Sequence, residues 1–556
     1  MMKYGITYFN PGASTPSGGK VFFEKDDGRF LAECREEAER RYEAIRAHRG
    51  VRPEEIGGNC YFISPDGNDE ADGKTPEHAW RSCERLMREY DLLKEGDGVF
   101  FARGGEWNCA EPGKGQHTNH SGRFCFMLKA GVHYGAYGEG EKPVFTNSIL
   151  ASGEEMWKET EWKDIWKLSV RVGGDIDDVG TIVFDPDPKT GRAKAWGVKM
   201  VPSVRFDPFC GRGTTEDCGI VSNGMTSYHC AARTLTSPAD ISGELEFLHD
   251  HANGDFYLHC GAGNPGKVFG EIRILRCGHV IRGDMRSGDR NTTVEDLCVR
   301  YGGAHGIQVY DSKNVAIRFC EVGWIGGSKQ SDALGGCIRY GNGIENWGGC
   351  DGFFVHDNYI YQCYDTAITS QFGGKVRSVM REAHFEHNLL SYINTCFELW
   401  NGSDTEYQLY DSSIRDNLMF CSGYGFGVIR PAGNKNGAFI LGDKVNDTKD
   451  RYTFVFENNT GVYSTHHCIG EGLPKVPGRE NGVVFRKNRY LMSRDTGTIM
   501  RCRDDIPGNS GGCKCRYRYD RETAEYLLSL GIEKDTEFYY YDGHLFPEEE
   551  TGAFLV

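Results

Sequence analysis

The chain lacks any run of apolar residues long enough to cross a bilayer, and its opening stretch, MMKYGITYFNPG, has no apolar core of the kind a secretory leader carries. Positive charge is short too: 64 Lys plus Arg against 80 Asp plus Glu give a net charge of −16. Polyanions such as nucleic acid are recognised through basic clusters, so this balance argues against them as partners. No Walker-type loop, dinucleotide fingerprint or nucleophile elbow occurs, and no cofactor is expected. The acidic loop Asp66–Asp72 has Ala71 where a calcium-binding EF-hand needs glycine. Cys513 and Cys515, with Cys502 upstream, miss the zinc-knuckle spacing, and His466–His467 stands alone, so no metal is expected either. The 21 cysteines are odd in number, without compact disulfide spacing. Cys298, Cys320, Cys396 and Cys421 fall in strand-like runs, where a small buried thiol is the ordinary reading. Together these absences predict a protein of the reducing cytoplasm, with no membrane attachment.

Glycine is plentiful: 74 residues, about twice the usual share. Helical periodicity is confined to residues 28–50, 76–94 and 520–531, and elsewhere short alternating runs predict strands and tight turns. A length of 556 residues suits several domains or an elongated repeat. A repeat is visible in VHDNYI, EHNLL, RDNLMF, ENNTGV and RKNRYL, which place Asn358, Asn388, Asn417, Asn459 and Asn488 at spacings of 30, 29, 42 and 29 residues. Asparagine tolerates left-handed backbone and caps neighbouring backbone groups, so stacked asparagines suit a recurring bend.

A second strand series runs GIQVY, GIENW, AITSQ, CFELW and GFGVI. Its inward column is Ile307, Ile344, Ile368, Phe397, Phe426; the outward columns are Gln308, Glu345, Thr369, Glu398, Gly427 and Tyr310, Trp347, Gln371, Trp400, Ile429. Coils in register with one apolar column define a parallel β-helix. Carboxylates and large aromatics on one exposed face suit a carbohydrate, because rings stack on sugar faces while carboxylates handle protons and hydroxyls. A merely solvated strand face is the plainer alternative. Asp365, near the bend of the coil between the two glutamates, either joins them or caps a turn. Segments 321–340, 372–382, 402–411 and 430–452 are expected to wall the face into a cleft. Arg339, Tyr340, Lys375, Tyr407 and Arg430 would then be available to hydroxyls or an acidic sugar, with His305 on the floor and Asn401 beside Trp400.

The stretch YFISPDGND…DGKTPEHAW…LKEGDGVFFARGGEW resembles the N-terminal signature of right-handed parallel β-helix proteins acting on carbohydrates. GNGIENW, YDTAIT and FELWNG are similar to coil motifs of β-helical glycoside hydrolases of the xylosidase and fucosidase kind. The resemblance implies an all-β, right-handed parallel β-helix with catalytic acids projecting from neighbouring coils, matched here by Glu345, Asp365 and Glu398, without fixing the role of each. The expected division is a helical cap over 1–58, the start of the β-helix over 59–149, an inserted β-rich subdomain over 150–268, β-helix with the cleft over 269–505, and a C-terminal cap over 506–556.

The expected activity is exo-acting hydrolysis of imported oligosaccharides, with Trp347, Trp400, Gln371, Tyr310, His305, Arg430 and Asn401 binding substrate. A retaining mechanism with Asp365 as nucleophile and a flanking glutamate as acid/base is favoured, since adjacent strands lie about 4.8 Å apart and retaining carboxyl pairs about 5–5.5 Å. A polysaccharide lyase and a non-catalytic glycan-binding protein are the alternatives. Oligomeric state, sugar and anomer stay open.

Overall fold

The computed structural model describes residues 20–110, 116–118, 122–170, 178–200, 237–250, 253–330, 339–372, 378–401, 407–429, 437–443, 454–470, 483–502, 515–529 and 531–543. The chain is an all-β, right-handed parallel β-helix with an inserted β-rich part and an N-terminal helix. One face of the coil stacks Ile281–Arg282, Ile307–Arg318, Ile344–His356, Thr366–Phe372, Thr395–Asn401, Ala438–Asp443, His467–Ile469 and Thr498–Cys502 in parallel. The inward column is Ile281, Ile307, Ile344, Ile368, Phe397, Ile440, Ile469 and Met500, all fully buried. A second apolar column, Ile317, Val355, Phe385, Ile414, Phe456 and Phe485, lines the next face. The third face runs from Cys298–Gly302 through Glu321–Ile325, Tyr359–Cys363, Leu389–Ser391, Leu418–Ser422, Thr460–Ser464 and Arg489–Ser493 to Glu537–Tyr541.

The fifth coil differs from the sequence expectation. Residues Phe426–Ile429 form a short 3-10 turn, and Ala438–Asp443 supplies the strand beside Thr395–Asn401, so Ile440, Leu441 and Asp443 replace Phe426, Gly427 and Ile429 in the three columns. The left-handed glycines Gly423 and Gly425 turn the chain out of the ladder, and the Phe426 ring packs on Trp324 instead of entering the coil. The expected wall segments likewise contain coil strands: Glu321–Ile325, Ser378–Glu386, Tyr407–Tyr410 and Ala438–Asp443. Glu321–Ile325, Tyr407–Tyr410 and Ala438–Asp443 are only four to six residues long, and such short strands resemble loops wherever a turn precedes them.

The asparagine ladder is present, with a changed role. Each asparagine is buried, and Asn358, Asn388, Asn417 and Asn459 each donate their backbone N–H to the side-chain oxygen of the next, at 2.9–3.1 Å. The left-handed backbone belongs to the preceding residues, Asp357, His387, Asp416, Asn458 and Lys487. The asparagines thus satisfy buried backbone groups that the bend leaves without a sheet partner. The ladder ends where Asn488 donates to Thr536 and Glu533.

The helix Arg29–Ala47 lies along the third face, burying Phe30, Leu31, Cys34, Ala38 and Ile45 against a cluster that includes Tyr359, Tyr361, Leu389 and Leu418. Arg41 anchors it by donating to the carbonyl of Asp416 at 2.6 Å. Just before it, Phe22–Lys25 pairs in parallel with Glu537–Tyr541 and closes that end of the coil. The insertion contributes a separate sheet of Trp157–Glu159, Ile165–Leu168, Asp255–His259, Glu246–Asp250 and Val198–Met200. It meets the coil at Asp178, which accepts from Lys199 Nζ at 2.5 Å and from the backbone N–H of Lys329 at 2.7 Å. In the N-terminal acidic loop, Asp69 accepts from Arg81, Ser82 and the Ser82 hydroxyl, fixing the start of the helix Cys83–Arg88. Among the cysteines whose side chains are described, all except the half-buried Cys60 are buried free thiols. No helix among the described residues is long and apolar enough to cross a membrane.

Candidate functional site

Strand alternation sends Ile344 into the coil and Glu345 outward, and register aligns Glu345 with Gln308, Thr369 and Glu398. Outward here does not mean solvated: Glu345 is 2% exposed, Glu398 6% and Asp365 9%, and Tyr310 is also buried. The expected exposed face is the floor of a covered site. Burial at that level demands partners for each carboxylate, and for the two glutamates the neighbouring coils supply them.

Glu345 Oε2 lies 2.9 Å from His305 Nε2 and accepts from Gln308 Nε2 at 2.8 Å. The tautomer of His305 follows from its other nitrogen, which accepts the backbone N–H of Asn342 at 3.1 Å; the proton is therefore on Nε2 and points at Glu345. His279, one coil earlier, does the same for the backbone N–H of His305 at 3.3 Å, and the two rings stack with centroids 5.0 Å apart. Burial, then His305 and Arg282, push the His279 imidazole well below its ordinary value. Asn342 continues the series by accepting from the backbone N–H of Thr366 at 3.3 Å. Because Oε2 of Glu345 accepts two N–H groups, a proton on this carboxyl belongs on Oε1.

Glu398 is held in a related way. Its Oε2 accepts from Gln371 Nε2 at 2.9 Å and from the Thr366 hydroxyl at 3.5 Å, while the Thr369 hydroxyl bonds its backbone carbonyl. His305 and Thr366 occupy equivalent positions before the strand centre, and each reaches the carboxylate of the following coil. Asp365 immediately precedes Thr366. Its N–H donates to the Gly341 carbonyl at 3.1 Å, and its own carbonyl accepts from Thr395. It stands opposite Gly341, four residues before the level of Glu345, so one-coil spacing alone does not set its distance to either glutamate. A Cβ on Gly341 would fall 2.6 Å from the backbone nitrogen of Asp365, which is why that coil carries glycine there.

Trp347 and Trp400 are half-buried and stack across the intervening Gln371, with centroids 6.0 Å apart and planes 27° from parallel. The Tyr310 hydroxyl donates to Gln308 Oε1 at 2.5 Å, joining the second outward column to the first. The Tyr340 ring stands edge-on to His305, centroids 5.0 Å apart, and its hydroxyl has no hydrogen-bond partner among the described residues.

The structure therefore brings Glu345, Glu398, Gln371, Tyr310, His305, Trp347 and Trp400 onto adjoining coils, with Asp365 at the bend beside them. Arg430, Lys375 and the side chains of Asn401 and Tyr407 lie outside the described residues; Asn401 ends its strand opposite Phe372. Arg339 is buried near Lys199, whose ammonium burial lowers to about 8, against the pull of Asp178. His467, expected to be unremarkable, bonds the Thr498 hydroxyl through Nδ1.

Sequence reasoning missed His279 and Arg282. The signal was available: GHVIRG, one coil before GAHGIQV, repeats histidine two positions before the inward isoleucine and places Arg282 in the column of Gln308 and Glu345.

No family model matches the chain, and no curated protein matches it significantly in sequence. Among solved structures it is similar to one described as a glycoside hydrolase, at TM-score 0.41 and 9% identity over 87% of this chain and 97% of the other. It is also similar to XylC in complex with xylose, at TM-score 0.39 and 12% identity over 88% and 85%. A rhamnogalacturonan lyase aligns at TM-score 0.32 and 12% identity over 83% and 79%.

Proposed function

We propose that this protein is a glycoside hydrolase acting on oligosaccharides from one end of the chain, with Asp365, Glu398 and Glu345 as its working carboxylates. One observation carries the reading: three carboxyl groups on successive coils are each buried, with the stacked pair Trp347–Trp400 in the column beside Glu345 and Glu398. Such rings offer flat apolar surface to a sugar face, and nothing in coil packing requires them.

In the retaining form that we favour, Asp365 attacks the anomeric carbon as the glycosidic C–O bond breaks, and Glu398 gives its proton to the departing oxygen. Glu398 then takes a proton from water, whose oxygen displaces Asp365 from the anomeric carbon. Thr366, adjacent to Asp365, already touches Glu398, which supports this pairing. Glu345, locked through Oε2 by His305 and Gln308, accepts a sugar hydroxyl at Oε1.

The test is a panel of chromogenic glycosides with Asp365→Asn and Glu398→Gln. Each variant should fold normally and lose roughly 10²–10⁴-fold or more in kcat. Proton NMR of the first-formed product reads the anomer: inversion would move Asp365 out of the nucleophile role and pair Glu345 with Glu398. Full activity in Asp365→Asn overturns the assignment, and products absorbing in the near ultraviolet overturn hydrolysis in favour of a lyase. Binding without turnover of any glycoside would leave a glycan-binding protein.

A further inference from the structure

We propose that the glycan carries a carboxylate, a uronic acid unit, received by Arg282 at one end of the cleft. The inference rests on the hydrolase reading for the location of the cleft, and it concerns which sugar enters.

Arg282 stands in the outward column next to Gln308 and two coils from Glu345. It is half-buried, its Nε is shut off from water without an acceptor, and no carboxylate pairs with it among the described residues. Burying even part of a guanidinium without a counter-charge costs free energy, and Arg103, Arg273, Arg300, Arg318 and Arg486 avoid that by pairing with Asp or Glu. The walls around Arg282 are aromatic. Its guanidinium carbon lies 5.8 Å from the centre of the Phe124 ring, and it adjoins the Tyr310 hydroxyl, opposing the upward push that burial gives that phenol. The Tyr310 hydroxyl is committed to Gln308, whereas the hydroxyl of Tyr340, whose ring stands edge-on to His279, has no hydrogen-bond partner among the described residues.

A planar, permanently charged fork with a free phenol beside it matches a planar monoanion, and a carboxylate fits both in shape and in charge. The column gives the position. Coils are about 4.8 Å apart, close to the length of one sugar unit, so Arg282 sits roughly 10 Å from the level of Glu345 and roughly 19 Å from that of Glu398. The acidic unit is therefore not the one being cleaved. It lies further along a glycan that follows the coil axis, and it selects substrate by a remote contact whose binding energy serves orientation.

The experiment compares matched pairs: short oligogalacturonides, and glucuronic-acid-substituted xylo-oligosaccharides, each with its carboxyl-reduced counterpart. Calorimetric binding and kcat/KM are measured for the natural chain, Arg282→Met and Arg282→Lys. The natural protein should favour the carboxylated member of at least one pair by about ten- to hundredfold. Arg282→Met should bring the two members level, and Arg282→Lys should restore part of the preference. Circular dichroism checks that the variants are folded, and Arg282→Lys guards against a fold defect in the methionine variant. No Arg282-dependent preference in any pair overturns the proposal. Arg282-dependent binding of the acidic member without hydrolysis would uphold it while refuting the hydrolase reading; hydrolysis of neutral glycans with no such preference would do the reverse.

Discussion

At the scale of single residues, the site is set by contacts too short to relax. Gly341 is the clearest case, because any side chain there meets the backbone of Asp365. Gly341→Ala should cost about 1–3 kcal/mol of stability and lower kcat about 100-fold by displacing Asp365. Denaturant unfolding alongside steady-state kinetics checks both; lost stability with unchanged kcat would detach Asp365 from the chemistry. Titration provides a second residue-scale test with opposing signs. His279 is held neutral below its ordinary value, so the unfolded chain takes up the proton first and stability falls as pH drops through about 6.5. Asp289 is pushed up to about 7, chiefly by burial and with Asp284 and Asp311 adding to it. Its native form keeps a proton that the unfolded chain has lost, and stability falls between about pH 4 and 7. His279→Gln should flatten the acid limb of the thermal-stability profile, and Asp289→Asn the other; an unchanged profile in either variant refutes its assignment.

At the scale of elements, inward and outward positions should respond differently. Phe397→Ala, from the fully buried column, should cost about 3–5 kcal/mol, whereas Trp400→Ala, half-buried at the cleft, should cost less stability and weaken glycan binding. Thermal melts and calorimetry separate the two, and the opposite ranking would invert the register. That register was legible because period-two alternation in GIQVY, GIENW, AITSQ and CFELW is set locally and repeated in stacked coils. GFGVI alternates equally well but leaves the ladder, since whether a short strand joins depends on glycine geometry at Gly423 and Gly425 and on the pocket that takes Phe426. The carboxylates were legible as residues in a column. Their burial was not, because for Glu345 it depends on Gln308 and His305, distant in sequence, which bond the carboxylate from the preceding coil.

At the scale of the whole molecule, both ends of the last β-helix face rely on distant chain. Glu537–Tyr541 would present an open parallel edge if Phe22–Lys25 did not cover it, with Lys25 paired to Asp542 at 2.7 Å. Open edges recruit other strands. Deleting residues up to Lys25 should therefore leave the coil folded but promote self-association, visible as added mass in sedimentation or light scattering. A monodisperse truncated chain at high concentration would show the edge to be protected otherwise.

The pairing of Phe22 with Glu537 also orders events in time. A ribosome makes Phe22–Lys25 long before Glu537–Tyr541, its sheet partner among the described residues. The coils between can accumulate one upon another as they emerge, each templated by its predecessor, while Phe22–Lys25 waits for the strand it pairs with. Docking it joins residues 515 positions apart, the kind of contact whose loop-closure cost is met only after the intervening coils have already brought the two ends together. Docking of Glu537–Tyr541 is thus a latch, and a chain interrupted before that strand of tyrosines is made would hold Phe22–Lys25 without this partner.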